Sequence, residues 1–470
     1  MRSSAPWIRG AVVLCLALLL PMTPLPAEEE EAISFPERVA EALDRGVEWL
    51  LARPTLATLG QRPFAHWGLI GGDVNYAGGT DVYASPAGPT ALALYTLLKC
   101  GVPADHAVVE QGFAWFFVDH EVTERWDGMP GKGWRTAYRI GWTSYEISAQ
   151  ILALTAKYDR QKRTAVTKSR RRRGKLKIRD KQDREWLIDL VEALVARRGV
   201  CGEDPAPEAR RGWRYNSRYT MHHPRGGTRV DDGQYLGPAN QDLSSTQLAT
   251  LALYSAHQLG KQVKPEVWAD IATFTLDCQE EDGPEHPRHD PGLHADGYVA
   301  PTDRARGFCY IRGSAARLEG QPTGAMTGCG IANLLMARDV LRESTKGKRL
   351  LKKLELESRI DEAVFDGLAW LDRNWSSFEN PPRPTAQYHI YYLYSLERAM
   401  DLLGKELVGK HLWYRDGAEA ILERQIRGEH GVHWETKTTH PPYDLLDTCF
   451  ALLFLKRATL DIAPPPVTGR

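Results

Sequence analysis

The sequence predicts an all-α protein, specifically an α6/α6 toroid: a double-shelled helical barrel with long loops at one end. Three observations predict it. The stretch 242–260, DLSSTQLATLALYSAHQLG, opens on helix-starting Asp242, Ser244, Ser245 and Thr246. It then carries Leu248, Ala249, Leu251, Ala252, Leu253 and Tyr254 round nearly its whole circumference, as a helix buried on several sides must. The stretch after it, PEVWADIATFTLDCQ, is of another kind. Val267, Ile271, Phe274 and Cys278 form one stripe, with Glu266, Asp270 and Asp277 placed for water. Finally, this inner–outer alternation runs the length of the chain. It starts on an outer-type helix without an inner one and ends on an inner-type helix without an outer one. Those two complete each other only if the array closes, and closure spares the apolar faces that a linear solenoid leaves exposed.

The elements follow in order. Residues 36–53 (PERVAEALDRGVEWLLAR) place Val39, Leu43, Val47 and Leu50 on one stripe and predict an outer helix. After a Gly-rich loop, 89–100 (PTALALYTLLKC) is inner-type and 105–118 (DHAVVEQGFAWFFV) is outer-type. Residues 143–158 are inner and 183–198 outer; 242–260 and 265–279 are the next pair. Residues 323–342 (inner) and 359–374 (outer) follow, then 387–403 and 416–427, and 444–458 is the last inner helix. The sum is roughly six inner and six outer helices in one domain, 36–460.

Three segments break the rhythm. Residues 159–182 form a strongly basic insertion, RQKRTAVTKSRRRRGKLKIRDK at its centre, which reads either as a solvated loop or as a contact for an anionic surface through 160–181. Residues 199–241 and 280–321 are long polar loops, each joining an outer helix to the next inner one. In a toroid both lie at one end, and loops this long in a compact domain are usually lids or binding loops, so 280–321 is read as a lid.

The chain has 470 residues and 43% hydrophobic content, enough for a large core, and a formal net charge of +0. No whole-molecule field therefore draws it to nucleic acid or a membrane surface, and no sequence-specific nucleic-acid partner is expected. Arg2 and Arg9 precede AVVLCLALLL and PMTPLPA, the pattern of an export signal over 1–27 with cleavage after Ala27. An acidic linker over 28–35 follows, and 461–470 is expected to be a disordered tail. The expected location is periplasmic or extracellular. Export permits disulfides, and Cys201 and Cys309, both in loop-like segments, are the expected pair; Cys100, Cys278 and Cys449 read as small buried hydrophobes.

The alternating helices, the blocks NQDLSSTQLATLAL and DTCFALLFL, and the Gly–Trp elements before inner helices together resemble the prenyltransferase/squalene-cyclase repeat superfamily. The Gly–Trp elements are Gly133–Trp134, Gly212–Trp213 and the looser Gln425, Gly431, Trp434 series, similar to the Q-x-x-x-G-x-W motif with altered spacing. The resemblance covers about 36–458 and implies the terpenoid cyclase/protein prenyltransferase α/α toroid, with an isoprenoid or other lipid-like ligand in a central cavity. It does not bring a complete catalytic motif. The D-x-D-D run of alkene-protonating cyclases is absent; Asp231–Asp232 before Gly233 is the nearest and reads as a turn. The zinc-binding D-x-C and Y-H blocks of protein prenyltransferases correspond here to Thr327–Gly328–Cys329 and Tyr388–His389. Zinc at Cys329 and His389 would therefore need a ligand from elsewhere. The thioester motif G-C-G-E-Q is matched only over Gly328–Cys329–Gly330.

Parallel inner helices would gather their N-termini at one mouth. Those ends carry the candidate acids Glu146, Asp242 and Asp447, with Thr327, His389 and Asp444, interleaved with Tyr145, Tyr388, Tyr391 and Tyr443. Gathered helix starts favour an anionic group, and Arg304, Arg306, Tyr310 and Arg312 are expected to add donors. Each acid read alone is an ordinary N-cap. His286, His289 and His294 read either as a metal cluster or as a flexible Pro-rich loop. The expected ligand is a hydrophobic or anionic small molecule. Two other functions fit the pattern: a carbohydrate-active α/α-barrel lyase or hydrolase with paired carboxylates such as Glu146 and Asp242, and a non-catalytic protein-binding scaffold.

Overall fold

The computed structural model describes residues 33–59, 61–68, 87–117, 144–159, 176–196, 198, 211–214, 241–287, 302–311, 320–382, 388–436 and 443–457. The expected export signal, Cys201, Asp231–Asp232, Gly133–Trp134, His289, His294, Arg312, the tail, and 160–175 of the basic insertion lie outside the described residues.

The described chain is predominantly helical. Its helices are α1 (Phe35–Ala52), α2 (Ala87–Cys100), α3 (Ala107–Trp115), α4 (Ser144–Asp159), α5 (Lys181–Ala196), α6 (Leu243–Leu259) and α7 (Pro265–Asp277). Then come α8 (Gly324–Arg342), α9 (Thr345–Lys353), α10 (Leu356–Arg373), α11 (His389–Leu403), α12 (Trp413–Glu423) and α13 (Tyr443–Lys456). Every segment read as a helix is one. Helix α9 was not expected; its TKGKRLLKK is too basic to show a stripe, and only Gly347 and Leu351 are buried. Three antiparallel hairpins were also not expected: β1–β2 (Thr55–Leu59, Arg62–His66), β3–β4 (Glu285–Pro287, Thr302–Arg304) and β5–β6 (Ile426–Gly428, Gly431–His433). Each sits in a connection from an outer-type helix to the next inner-type one, too short to carry a period-2 pattern.

The inner-type helices pack in a cycle. Helix α2 lies against α4, α4 against α6, α6 against α8, α8 against α11, α11 against α13, and α13 against α2. The amphipathic helices lie outside these pairs. Helix α1 touches both α13 and α2, α5 touches α4 and α6, α7 touches α6 and α8, and α12 touches α11 and α13. Close approach is permitted by glycines where a side chain would collide. A Cβ on Gly328 of α8 would come 2.9 Å from the backbone carbon of Ser395 on α11, and one on Gly46 of α1 would come 2.6 Å from Leu452 Cδ2 on α13.

Three buried tryptophans, Trp213 and Trp434 of the Gly–Trp elements and Trp67 after His66, explain how the connections are fastened. An α-helix leaves its last carbonyls without intrahelical donors. The indoles of Trp67, Trp213 and Trp434 donate to Leu50 O at 2.9 Å, Leu194 O at 2.8 Å and Ile421 O at 2.8 Å, near the ends of α1, α5 and α12. The backbone N–H of each same residue donates to a threonine hydroxyl in the first turns of the next inner helix: Thr90 at 2.9 Å, Thr246 at 3.0 Å and Thr448 at 3.0 Å. Phe308 keeps the second bond, to Thr327 Oγ1 at 3.1 Å. One buried aromatic residue thus joins the end of an outer helix to the start of an inner one. Cys309 is a free, buried thiol.

Candidate functional site

Four helix starts meet between the ring helices. Tyr145, at the second position of α4, has its hydroxyl 2.8 Å from Ser244 Oγ on α6. Ser244 Oγ lies 2.9 Å from the Tyr391 hydroxyl on α11, and that hydroxyl is 3.5 Å from Cys329 Sγ on α8. Cys329 also reaches Ser395 Oγ at 3.4 Å, one turn beyond Tyr391 on α11. Helix α13 adds Phe450, whose ring is 5.5 Å from Tyr391 and stacks on Tyr394 at 4.9 Å. The two outer tyrosines of this chain of hydroxyls, Tyr145 and Tyr391, are half-buried, as are Leu248, Leu446 and Phe450 on the same helices. Removal from water raises the Tyr391 hydroxyl well above the usual phenol range, and nearby Cys329 adds to it. Burial also raises the Cys329 thiol, so it is no thiolate nucleophile at neutral pH.

Beneath Tyr391 lies Arg398, fully buried. Its guanidinium stacks 3.8 Å above the Tyr394 ring, and Nη2 donates to Ser395 Oγ at 3.3 Å. Its Nε and Nη1 have no acceptor. The sequence pattern marks Ser244 only as a helix-starting residue and does not single out Arg398, Ser395, Tyr394 or Phe450. The available signal was a charged residue in the buried stretch YYLYSLERAM, spaced seven positions from Tyr391 and so on the same helix face.

The expected candidates separate. Asp242 is the N-cap of α6, accepting from Ser245 N at 2.6 Å and Ser245 Oγ at 2.8 Å, with Arg214 Nη1 3.7 Å away. Burial pushes its carboxyl up to about 6, against the Ser245 bonds, Arg214 and a Tyr310 hydrogen bond that lower it. Glu146 is buried against the start of α2, where a Cβ on Gly88 would lie 3.1 Å from its Cγ. Glu146 thus packs against the start of α2, while Asp242 caps α6. Asp447 accepts from Thr436 N and Oγ1, both at 2.7 Å, and so ties the strand after Trp434 to α13.

His389 opens α11 with Nε2 donating to Ser377 O at 2.7 Å and Nδ1 accepting from Arg424 Nη1 at 2.9 Å. Burial lowers its imidazole to about 4. Both ring nitrogens are engaged away from Cys329, so the two expected zinc ligands belong to separate networks and do not fit a shared ion. Among the described residues no group of three or more His, Cys, Asp or Glu could hold a metal. Tyr388 stands exposed at the N-cap of α11 with φ 59°. Arg306 faces the outer helix α10, and Arg304 touches that helix through its backbone while its side chain pairs with Asp282. The Arg304 backbone N–H donates to Asp366 Oδ1 at 3.0 Å and its side chain pairs with Asp282, while Arg306 bonds Asp366 Oδ2 at 2.6 Å and Glu362 at 2.8 Å. Carboxylates within hydrogen-bond reach hold both arginines away from the mouth expected for them. Tyr310 stays near it, its ring 5.8 Å from the Arg214 guanidinium. His286 Nε2 donates to Asp372 Oδ2 at 2.7 Å.

No protein-family model and no curated protein matches this chain.

Proposed function

We propose that the cycle α2, α4, α6, α8, α11 and α13 is the inner shell of an α6/α6 toroid. We further propose that the chain is an exported member of the prenyltransferase/squalene-cyclase repeat superfamily, and that it binds an isoprenoid or other lipid-like ligand at the ring centre. The observation that carries the reading is a set of partly accessible aromatic and aliphatic side chains on helices that are otherwise mostly buried: Tyr145, Leu248, Tyr391, Leu446 and Phe450. A filled core would bury them; a hollow lined by aromatic and aliphatic groups with a few hydroxyls is the usual form of a small-molecule site. The proposal is one of binding, with no bond made or broken and no step through zinc. The carbohydrate-active reading draws no support from Glu146 and Asp242, which turn to different partners. The test is native mass spectrometry and lipid extraction of the protein purified from its source. A retained isoprenoid or other lipid supports the reading. A clean apo mass together with retention on a polysaccharide column overturns it in favour of the carbohydrate reading.

A further inference from the structure

A guanidinium cannot shed its charge inside a protein, and a buried charge is costly unless it is paired and hydrogen-bonded. Arg398 is 0% exposed, with Nε and Nη1 lacking acceptors. No carboxylate forms an ion pair with it among the described residues. Asp401, three residues further along the same helix, is held by Arg457 at 2.5 Å. The groups that do surround Arg398 are the Tyr394 ring, Ser395 Oγ and, one layer up, the Cys329 thiol and the Tyr391 hydroxyl. These are donors or weak acceptors at neutral pH, and the buried Glu397 next to it adds attraction without forming an ion pair, so no acceptor reaches Nε or Nη1. The layer above it, Tyr391 and Phe450, is the half-accessible one, and it adjoins the apolar Leu446, one turn from Phe450 on α13.

Resting on the central-cavity reading above, we propose that Arg398 anchors the carboxylate head of an amphiphilic acid. Its hydrocarbon body lies along Leu248, Leu446 and Phe450. The Tyr391 and Ser244 hydroxyls stand ready to donate to the same head, while the Ser395 hydroxyl donates to the Tyr391 carbonyl at 2.8 Å. One cation matches one negative charge. A diphosphate head would bring about three, and Arg398 is the one fully buried arginine or lysine among the described residues. A carboxylate against an arginine makes charge-assisted hydrogen bonds, and losing them costs roughly tenfold or more in affinity.

The experiment titrates the full mature chain with oleate, with oleyl alcohol of the same chain length, and with farnesyl diphosphate, by isothermal titration calorimetry below the micelle concentration. It is repeated with Arg398→Met. The expected result is oleate bound at least about tenfold more tightly than oleyl alcohol, with Arg398→Met reducing oleate to the level of the alcohol and leaving the alcohol unchanged. Equal affinity of oleate and oleyl alcohol in the wild type overturns the anchor while leaving an apolar cavity standing. That comparison needs no variant and decides the matter if Arg398→Met does not fold. Tighter binding of farnesyl diphosphate than of oleate overturns the single-charge head. Binding of none of the three overturns both this proposal and the cavity it rests on.

Discussion

The aromatic–threonine junctions make a sharp prediction about what holds the connections to the ring. Thr246 is fully buried. Its hydroxyl accepts the Trp213 backbone N–H at 3.0 Å and donates to the Asp242 carbonyl at 2.7 Å. Thr246→Val keeps the shape and the β-branch, so it opens no cavity. The Asp242 carbonyl retains the Thr246 backbone N–H at 3.1 Å, so its loss is small. The Trp213 N–H is left buried with no acceptor, which costs about 1–3 kcal/mol. Thr250→Val is the matched control, since the Thr250 hydroxyl only back-bonds to Thr246 O at 2.7 Å inside the helix, and its removal should cost under about 0.5 kcal/mol. Urea unfolding reads both as a shift in midpoint at constant slope. Thr448→Val, at the corresponding junction of α13, should cost a similar amount. The double variant Thr246→Val/Thr448→Val should be additive within about 0.5 kcal/mol, because α6 and α13 are not neighbours in the ring. A Thr246→Val variant no less stable than Thr250→Val would refute the claim that these hydroxyls clasp the connecting strands.

Other outcomes follow from the same contacts. Gly328→Ala should destabilise by about 1–3 kcal/mol in the same assay, because the added methyl meets α11 backbone that no rotamer change can move, even though alanine favours the helix by about 1 kcal/mol. Arg398→Met should raise the melting temperature of the ligand-free protein by removing a buried unpaired cation; calorimetry showing a fall would mean the Tyr394 stacking outweighs the desolvation. Asp242 and His389 should tilt the pH dependence of stability in opposite directions. With Asp242 raised from 3.8 to about 6, the native state holds the proton more tightly, and that contribution is lost as pH rises through this window. With His389 lowered from 6.5 to about 4, its contribution is lost as pH falls through its own window. Stability should therefore climb more steeply with pH between about 4 and 6.5 in Asp242→Asn than in the wild type; parallel pH curves for the two proteins would remove Asp242 from the account.

Legibility differed by residue. Tyr145, Tyr391 and Cys329 were readable as site candidates because helix starts carry caps and polar tips that stand out against apolar interiors, and the structure brings these three together through Ser244. Arg304 and Arg306 were misplaced because a loop's sequence does not tell what it lies against: Asp282 of the same connection pairs with the Arg304 side chain, and the Asp366 and Glu362 carboxylates that hold Arg306 are some sixty positions away. His389 was singled out for its Tyr–His neighbourhood, but the Ser377 carbonyl and Arg424 that occupy its nitrogens come from two other segments.

The amino-acid order alone determined the helices and their two kinds, since burial all round or on one stripe is written in the spacing of apolar side chains along a 3.6-residue turn. It also marked Trp213 and Trp434 as junctions without saying what they join. Only the tertiary structure decided which polar groups meet: the cycle of helix contacts sets Ser244 between Tyr145 and Tyr391, and leaves Arg398 Nε and Nη1 without an acceptor. Hydrogen bonds and charge pairing act over a few ångströms in space, whereas the residues concerned are up to 147 positions apart along the chain. No local pattern encodes that distance.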